Sequence, residues 1–312
     1  YNDRKYRAAI RQIHKLEREV DAIKRLHTPP KVKEIKARPH KKDVSVATAI
    51  AMASDWHWEE EVKPNVVGGR NKYNLEIAEE RAQNFFRNLL KLVERNRYDT
   101  QIDDLVLVLG GDFISGNIHE ELLSVCLCPP IEAIMLVQDA IHSGLNFLKE
   151  HGNFKRIVVV CVTGNHSRIT AKSYHQSRNQ NNLEWGMYKH LAHLHPELQW
   201  VIEDGYLTYY TVYGKVLRVH HGDAIKYAGG VGGLEVPMKR AYYQWNMTEP
   251  AHINLMGHYH QYTPGYNSVN GSLIGYNAYA AQNKFSYQPA MQLFMLLSEK
   301  NGVTVHAPIF VE

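Results

Sequence analysis

The sequence predicts an α/β fold in which stacked β layers are flanked by helices. Strand-like and helix-like segments alternate through the first half of the chain, and the second half is rich in strand-like runs. Such an order is typical of sheets that are covered by helices. The chain has 312 residues, of which 44% are hydrophobic, so it is long enough for one large domain or two ordinary ones.

The most informative strand is the apolar run at residues 105–109, which leads directly into Gly110, Gly111 and Asp112. An unbroken β-prone run of this kind indicates a strand that is buried on both faces. The two glycines allow a sharp turn after the strand. Asp112 is therefore expected at the carboxyl edge of a sheet, where open α/β folds bind their ligands.

The other elements are predicted from the same patterns. We expect amphipathic helices at 75–97, 131–149 and 183–194, strands at 44–53, 156–162 and 251–256, and a hairpin formed by 206–212 and 215–219. Further strands near 272–276, 291–297 and 303–307 complete the chain. The glycine-rich stretch 229–233 lacks the spacing of a phosphate-binding motif, so it is expected to be a loop near the site.

Polar side chains suited to metal binding follow five of the predicted strands. None of them is a thiolate, and this combination of oxygen and imidazole ligands suits manganese, iron, zinc or magnesium. The set is larger than one tetrahedral ion requires, and two ions that share one carboxylate are the simplest explanation. Its members are Asp55, His57, Asp112, Asn165, His166, His221, His258 and His260.

These residues stand in five ordered blocks that resemble those of the calcineurin-like metallophosphoesterases. The blocks are Asp55-Trp56-His57, Gly111-Asp112, Gly164-Asn165-His166, His221-Gly222 and Gly257-His258-Tyr259-His260. The resemblance spans residues 44 to 260, and the amino-acid sequence at 115–122 is similar to that of phage-encoded members. It implies a four-layer αββα sandwich, in which two mixed β-sheets are flanked by helices, here with an N-terminal helical arm.

The resemblance also implies a role for each of these residues. Asp55, His57 and His260 would hold a first divalent ion, Asn165, His221 and His258 a second, and Asp112 would bridge the two. Manganese is the expected metal, with iron, zinc, magnesium and nickel as alternatives. Such a pair of ions activates a water for attack on a phosphate ester. His166 would face the phosphate and stabilise the transition state or protonate the leaving oxygen.

The sequence departs from the family pattern at two positions. Ser115 stands where the second block usually has another Asp, and Ser167 stands where the third block usually has a carboxylate after the His. Arg168 could instead contribute positive charge to the phosphate. His119 is either a loop histidine or a substrate contact, and His220 is expected to be a structural neighbour of the ligand His221.

Residues 1–43 form a basic arm that precedes the domain predicted at 44–312. The arm has 14 Lys and Arg against 6 Asp and Glu, a charge of +8, whereas the whole chain carries only +4. Residues 2–27 have the spacing of an amphipathic helix, which Thr28, Pro29 and Pro30 end, and a basic linker follows. The helix could pack on the domain, form a coiled coil in a homo-oligomer, or face the phosphates of a nucleic acid.

These observations predict a two-metal phosphoesterase, and the basic arm favours a nuclease that acts on DNA. The alternatives are an esterase for a small nucleotide or a phosphoprotein, and a non-catalytic binding or scaffold module with a vestigial metal site. No apolar run reaches the roughly 18 residues that would span a membrane. The three cysteines lack framework spacing, which indicates a reducing compartment. We therefore expect a cytoplasmic protein, in the host cytoplasm if it is phage-encoded.

Overall fold

The computed structural model describes residues 34–36, 44–226 and 233–312. The predicted helix at 2–27, most of the basic linker, and the loop at 229–233 apart from Gly233 lie outside these ranges. No helix within the described ranges is long and apolar enough to cross a membrane.

The larger sheet has six strands in the order β10-β9-β1-β2-β3-β4. Its four parallel strands are β1 (Ser45–Ala53), β2 (Thr100–Leu109), β3 (Arg156–Cys161) and β4 (Gln199–Ile202). Two further strands, β9 (Met291–Ser298) and β10 (Gly302–Phe310), extend the sheet beyond β1 as an antiparallel pair. The carboxyl ends of the four parallel strands therefore lie along one edge.

The smaller sheet has four strands in the order β5-β6-β7-β8. They are β5 (Thr208–Val212), β6 (Lys215–His220), β7 (Ile253–Met256) and β8 (Asn267–Val269). β5 and β6 form the predicted antiparallel hairpin, and β6, β7 and β8 run parallel to one another. Both sheets are therefore mixed.

Five α-helices connect the strands in the described ranges. They are α1 (Leu75–Asn96), α2 (Pro130–His151), α3 (Leu183–Leu194), α4 (Glu235–Asn246) and α5 (Ala278–Gln282). The side chain of Asn74 caps α1 by accepting a hydrogen bond from the backbone of Ile77, and Asn182 caps α3 in the same way.

The side chains of the sheets are divided between two faces. Alternate strand residues such as Ala49 and Leu107 share one core with buried residues of the first three helices, including Phe85 and Val137. The opposite face, on which Ile50 is fully buried, lies toward the smaller sheet, because β5 contacts β3 and β4. The far side of the smaller sheet packs against α4. This order of layers confirms the predicted sandwich of two mixed sheets flanked by helices.

Most predicted elements are present, and the differences have physical causes. The three predicted helices are confirmed to within about two residues. β2 begins earlier than expected because two ion pairs neutralise the charges of its aspartates. Lys155, just before β3, pairs with Asp103, and Arg156, the first residue of β3, pairs with Asp104. The prediction of a strand near 272–276 is wrong. The Leu273 N–H donates to the Asp55 carbonyl and the Leu273 carbonyl accepts from the Arg81 guanidinium, so this segment does not join a sheet. β4, β8, α4 and α5 were not predicted.

The described part of the basic linker is tied to the smaller sheet. Ile35 is fully buried, and its backbone nitrogen donates to the Thr211 carbonyl at 3.4 Å. Its own carbonyl accepts from the Tyr213 nitrogen at 3.0 Å. Residues 34–36 therefore extend the ordered body at the edge next to β5.

Two helical glycines give a matched test of the packing between α1 and α2. A Cβ at Gly144 would collide with the buried ring of Phe86, whereas a Cβ at Gly186 would meet nothing. We expect Gly144→Ala to lower the free energy of unfolding by about 1–3 kcal/mol through overpacking. Gly186→Ala should raise it by about 0.5–1 kcal/mol, since alanine is the better helix former. Urea denaturation of both variants checks this, and equal effects would contradict the packing described.

Candidate metal centre

The carboxyl ends of five strands meet at one place in the fold. β1, β2 and β3 lead into Asp55, Asp112 and Asn165, and β6 and β7 lead into His221 and His258. Because the larger sheet supplies the first three and the smaller sheet the other two, the site lies at an edge that both sheets share.

The first ligand cluster consists of Asp55, His57 and His260, all of which are buried. Their ligand atoms lie within 4.8 Å of one another. The Nε2 atoms of His57 and His260 are only 3.2 Å apart, and His260 Nε2 is 3.4 Å from Asp55 Oδ1. Two imidazole nitrogens facing each other beside a carboxylate are an arrangement that a cation would stabilise.

The second cluster consists of Asp112, His221 and His258. His221 Nδ1 donates to the Gly110 carbonyl at 2.9 Å, which leaves its Nε2 facing Asp112 Oδ2 at 2.8 Å. A hydrogen bond of this kind fixes the ring of a metal-ligating histidine and its tautomer. The structure thus brings together six of the seven predicted ligands in two clusters.

Two buried ligand atoms at this site have no hydrogen-bond partner in the structure. They are Asn165 Oδ1 and His258 Nδ1. Buried polar atoms without partners are uncommon, and metal coordination is one of the conditions that satisfies them. Asn165, the seventh predicted ligand, lines the same cavity as His258 and His260. The donor set therefore fits two divalent ions, each held by nitrogen and oxygen ligands.

The backbone of the ligand residues is left-handed at five positions. Asp55, His57, Asp112, His258 and His260 have φ between 47° and 71° and account for five of the eight non-glycine residues with positive φ in the described ranges. This conformation costs about 1–2 kcal/mol per residue for side chains other than glycine. Strain of this kind clusters at functional sites, where the surrounding structure maintains it.

Two glycines allow the carboxylates to approach the neighbouring loops. A Cβ at Gly164 would collide with Asp112 Oδ1, and a Cβ at Gly257 would collide with Asp55 Oδ2. The residues that follow donate backbone N–H groups to the same carboxylates: His166 to Asp112 at 2.8 Å and His258 to Asp55 at 2.9 Å. Asp112 is therefore hydrogen-bonded to the loop after β3, and Asp55 to the loop after β7.

The second cluster contains a buried pair of a carboxylate and an imidazole, Asp112 and His221. Burial by itself raises the pKa of Asp112, but the nearby His221 and His166 hold it well below its usual range. Burial also lowers the pKa of His221, yet Asp112 outweighs this effect and raises it to about 10. Burial and the charge of His221 lower the pKa of His258 to about 4. Asp112 therefore favours the protonated form of His221, and burial favours the neutral form of His258.

His166 lies beside the clusters and lines the cavity. Its Nδ1 donates to the Ser115 carbonyl at 2.9 Å, so Nε2 is the nitrogen that remains for a ligand. Its ring centroid is 4.9 Å from that of His57 and 6.1 Å from that of His119.

The remaining predicted residues lie at different depths. His119 is exposed and lines the cavity. The guanidinium of Arg168 donates to the carbonyls of Asn165 and Thr170, and Arg168 is not among the residues that line the cavity. His220 is fully buried on the opposite side of its strand from His221, against Tyr242 and Trp245. It is not among the residues that line the cavity.

A carboxylate that the sequence did not identify reaches His57 through Ser115. His57 Nδ1 lies 2.9 Å from Ser115 Oγ, and that hydroxyl donates to Glu60 Oε2 at 3.0 Å. The Nδ2 of Asn277 donates to the other oxygen of Glu60 at 3.1 Å. Glu60 and Ser115 together therefore orient His57 with Nε2 toward the first cluster.

A second carboxylate that the sequence missed joins two ligand loops. Glu184, in the first turn of α3, is fully buried and accepts the backbone N–H groups of Phe113 and Gly164, both at 2.7 Å. Burial and the charge of Asp112 raise its pKa to about 7. Glu184 thereby fixes the loop after β2 against the loop after β3.

The contribution of Glu60 to metal binding can be tested directly. We expect Glu60→Gln to weaken binding of Mn²⁺ about 10–100-fold, because loss of a hydrogen-bonded partner behind a ligand histidine has effects of that size. Calorimetric titration of the metal-free protein measures this. Ser115→Asp in the Glu60→Gln background places a carboxylate directly on His57 and should restore affinity. Failure of this rescue would show that Glu60 acts only on packing.

Metal binding should release protons to the buffer. Because Asp112 raises the pKa of His221, this ring carries a proton near neutral pH and must lose it to become a ligand. We expect at least about one proton released per protein at pH 7, and metal affinity that rises with pH. Titration calorimetry in buffers of different ionisation enthalpy counts these protons, and release of none would contradict the ion pair.

Comparison with known proteins gives likenesses of structure only. No protein-family model matches the chain, and no curated protein matches it significantly. A conserved uncharacterized protein of Streptococcus pneumoniae, described as a predicted phosphoesterase, aligns with 11% identity and a TM-score of 0.31, covering 84% of this chain and 98% of that one. The Thermus thermophilus sulfate thiohydrolase SoxB, in complex with glycerol, aligns with 11% identity and a TM-score of 0.35, covering 88% of this chain and 58% of that one. The described residues form a sandwich of two mixed sheets with paired ligand clusters at its strand ends.

Proposed function

We propose that the protein is a dinuclear metal-dependent phosphoesterase. The observation that carries this proposal is the pair of buried ligand clusters, of which His57, His260, Asp112 and His258 line a single cavity of about 330 Å³ together with His166. A volume of this size is near the lower end of the range for small-molecule sites.

The residues divide between the two ions as the clusters indicate. Asp55, His57 and His260 would hold one ion, and His221, His258 and the amide oxygen of Asn165 the other, with Asp112 between them. When bound, the ions supply Lewis-acid activation of the phosphate and of the attacking water. Manganese is our first choice of metal, with iron, zinc, magnesium and nickel as alternatives.

His166 serves as the proton donor to the leaving oxygen or stabilises the charge that develops on the phosphate. Because its Nδ1 is engaged by the Ser115 carbonyl, only Nε2 can act on a substrate. The backbone of His166 is held by Asp112, so its ring keeps a fixed position relative to the second cluster. His119 lies on the same side of the cavity and can add a second hydrogen bond to the phosphate.

DNA remains the substrate that the sequence predicts, and this prediction rests on the charge of residues 1–43. Of these, only residues 34–36 lie within the described ranges. If the arm binds DNA, affinity should fall steeply with salt as counterions are released.

The proposal is tested by incubating the protein and Mn²⁺ with single-stranded DNA, duplex DNA, a generic phosphodiester and a generic phosphomonoester. We expect metal-dependent turnover of at least one ester. Cleavage of DNA would establish the nuclease prediction. Absence of turnover with Mn²⁺ and each alternative metal would overturn the proposal and favour the binding or scaffold module.

Asp112→Asn should abolish this turnover and leave the fold intact. The amide keeps the shape of the carboxylate but loses its charge and one metal ligand, so we expect a loss of at least about 10²–10³-fold in turnover. Asp99→Asn is the matched control, because Asp99 is exposed at the opposite end of the same strand. Activity is measured on the ester panel, and circular dichroism checks the fold. Retained activity in Asp112→Asn would contradict its assignment to the metal centre.

A further inference from the structure

The cavity at the metal centre has two chemically different halves. One half is formed by the ligand clusters and His166, and His119 lies beside it. The other half is mostly apolar, and it is formed by residues that follow β1, precede α2 and begin α5. These residues are Val62, Val66, Leu122, Val125, Ala278 and Tyr279. The ring of Tyr279 lies 6.2 Å from that of His260, so the apolar half begins directly beside the first cluster.

The charged groups of the apolar half are predominantly acidic. Glu61 and Glu121 line it, and Lys63 is the one Lys or Arg among the described residues of the cavity wall. The Nζ of Lys63 is already paired with Glu61 at 3.2 Å. Because the pair of Lys63 and Glu61 is neutral, Glu121 leaves the described wall of this half with a net negative charge that would repel an anion.

We propose that the substrate is a compact phosphate ester whose alcohol part is apolar and carries no further negative charge. This inference rests on the proposed phosphoesterase function and names its substrate class. The phosphate lies at the metal clusters, with His166 and His119 beside it. The alcohol part lies against Tyr279 and the aliphatic side chains, where burial of apolar surface stabilises it.

A nucleic-acid strand does not fit these walls. It carries a phosphate on each side of the bond that is cleaved, and one of these phosphates would lie in the apolar half, beside its carboxylates. Like charges at such short range disfavour binding, and more strongly where the site is partly shielded from water.

Non-hydrolysable phosphonates test the proposal without any need for turnover. The probes are benzylphosphonate and its 4-carbamoyl and 4-carboxy derivatives, of which the last two have nearly the same shape and differ in charge. Each is titrated calorimetrically into the full chain loaded with Mn²⁺. We expect the carboxy compound to bind about tenfold or more weakly than the carbamoyl compound.

A charge reversal at the cavity wall identifies the source of this discrimination. Glu121→Lys replaces a lining carboxylate, so the difference between the two compounds should shrink about tenfold or invert. Glu120→Lys is the matched control, because Glu120 is the neighbouring exposed residue in the same short helix and does not line the cavity. It changes the net charge equally and should leave the difference unchanged.

An oligonucleotide of eight thymidines provides the competing substrate class. Binding that leaves benzylphosphonate in place supports the proposal, since the strand then lies outside the cavity. Displacement of benzylphosphonate by the oligonucleotide, equal affinity for the carboxy and carbamoyl compounds, or no binding of benzylphosphonate would each overturn it. Failure of the proposed function can be distinguished from failure of this inference. Absence of hydrolysis of every ester would overturn the proposed function, whereas the phosphonate affinities test the substrate preference of the cavity.

Discussion

The site depends on the close contact between two buried aspartates and the glycines of neighbouring loops. Asp112 packs against Gly164 and Asp55 packs against Gly257, at distances that no side chain would permit. Each carboxylate also accepts the backbone N–H of a residue just beyond that glycine. These two contacts set where the loops after β3 and β7 can lie, and so they position Asn165, His166, His258 and His260. The left-handed backbone at five ligand positions follows from holding these short loops so tightly.

Much of this arrangement could be predicted from sequence because the ligands directly follow strands. A buried strand is recognised by its apolar run, and parallel strands end at a common edge, so a polar residue after each strand must lie near the others. Asp55, Asp112, His221 and His258 were located in this way. The helices were equally accessible, since the periodicity of residues 75–97 and 183–194 is a local signal. The start of β2 could not be predicted from such local signals, because its first half contains two aspartates that are stabilised by Lys155 and Arg156 at the start of β3.

The groups that support the ligands could not be predicted, because no local pattern marks them. Glu60 lies in a loop and acts through Ser115, which is 55 residues away. Glu184 belongs to a helix whose spacing predicts only an ordinary amphipathic face, and Tyr279 belongs to a short helix that was not predicted. The sequence did show that Ser115 and Ser167 lack the usual carboxylates. What it could not show is that Glu60, three residues after His57, reaches this histidine by way of Ser115, which is 55 residues from Glu60.

Each cluster takes ligands from both sheets, which has a consequence for the persistence of the protein in a cell. Asp55 and His57 follow the larger sheet and His260 the smaller one, and Asp112 likewise faces His221 and His258 across the boundary. A bound ion would therefore join the two layers at the edge that they share. Any species that binds only the folded state slows its loss to proteases. Under metal starvation, the abundance of the protein would fall along with its chemistry, so metal supply would act on turnover of the polypeptide itself.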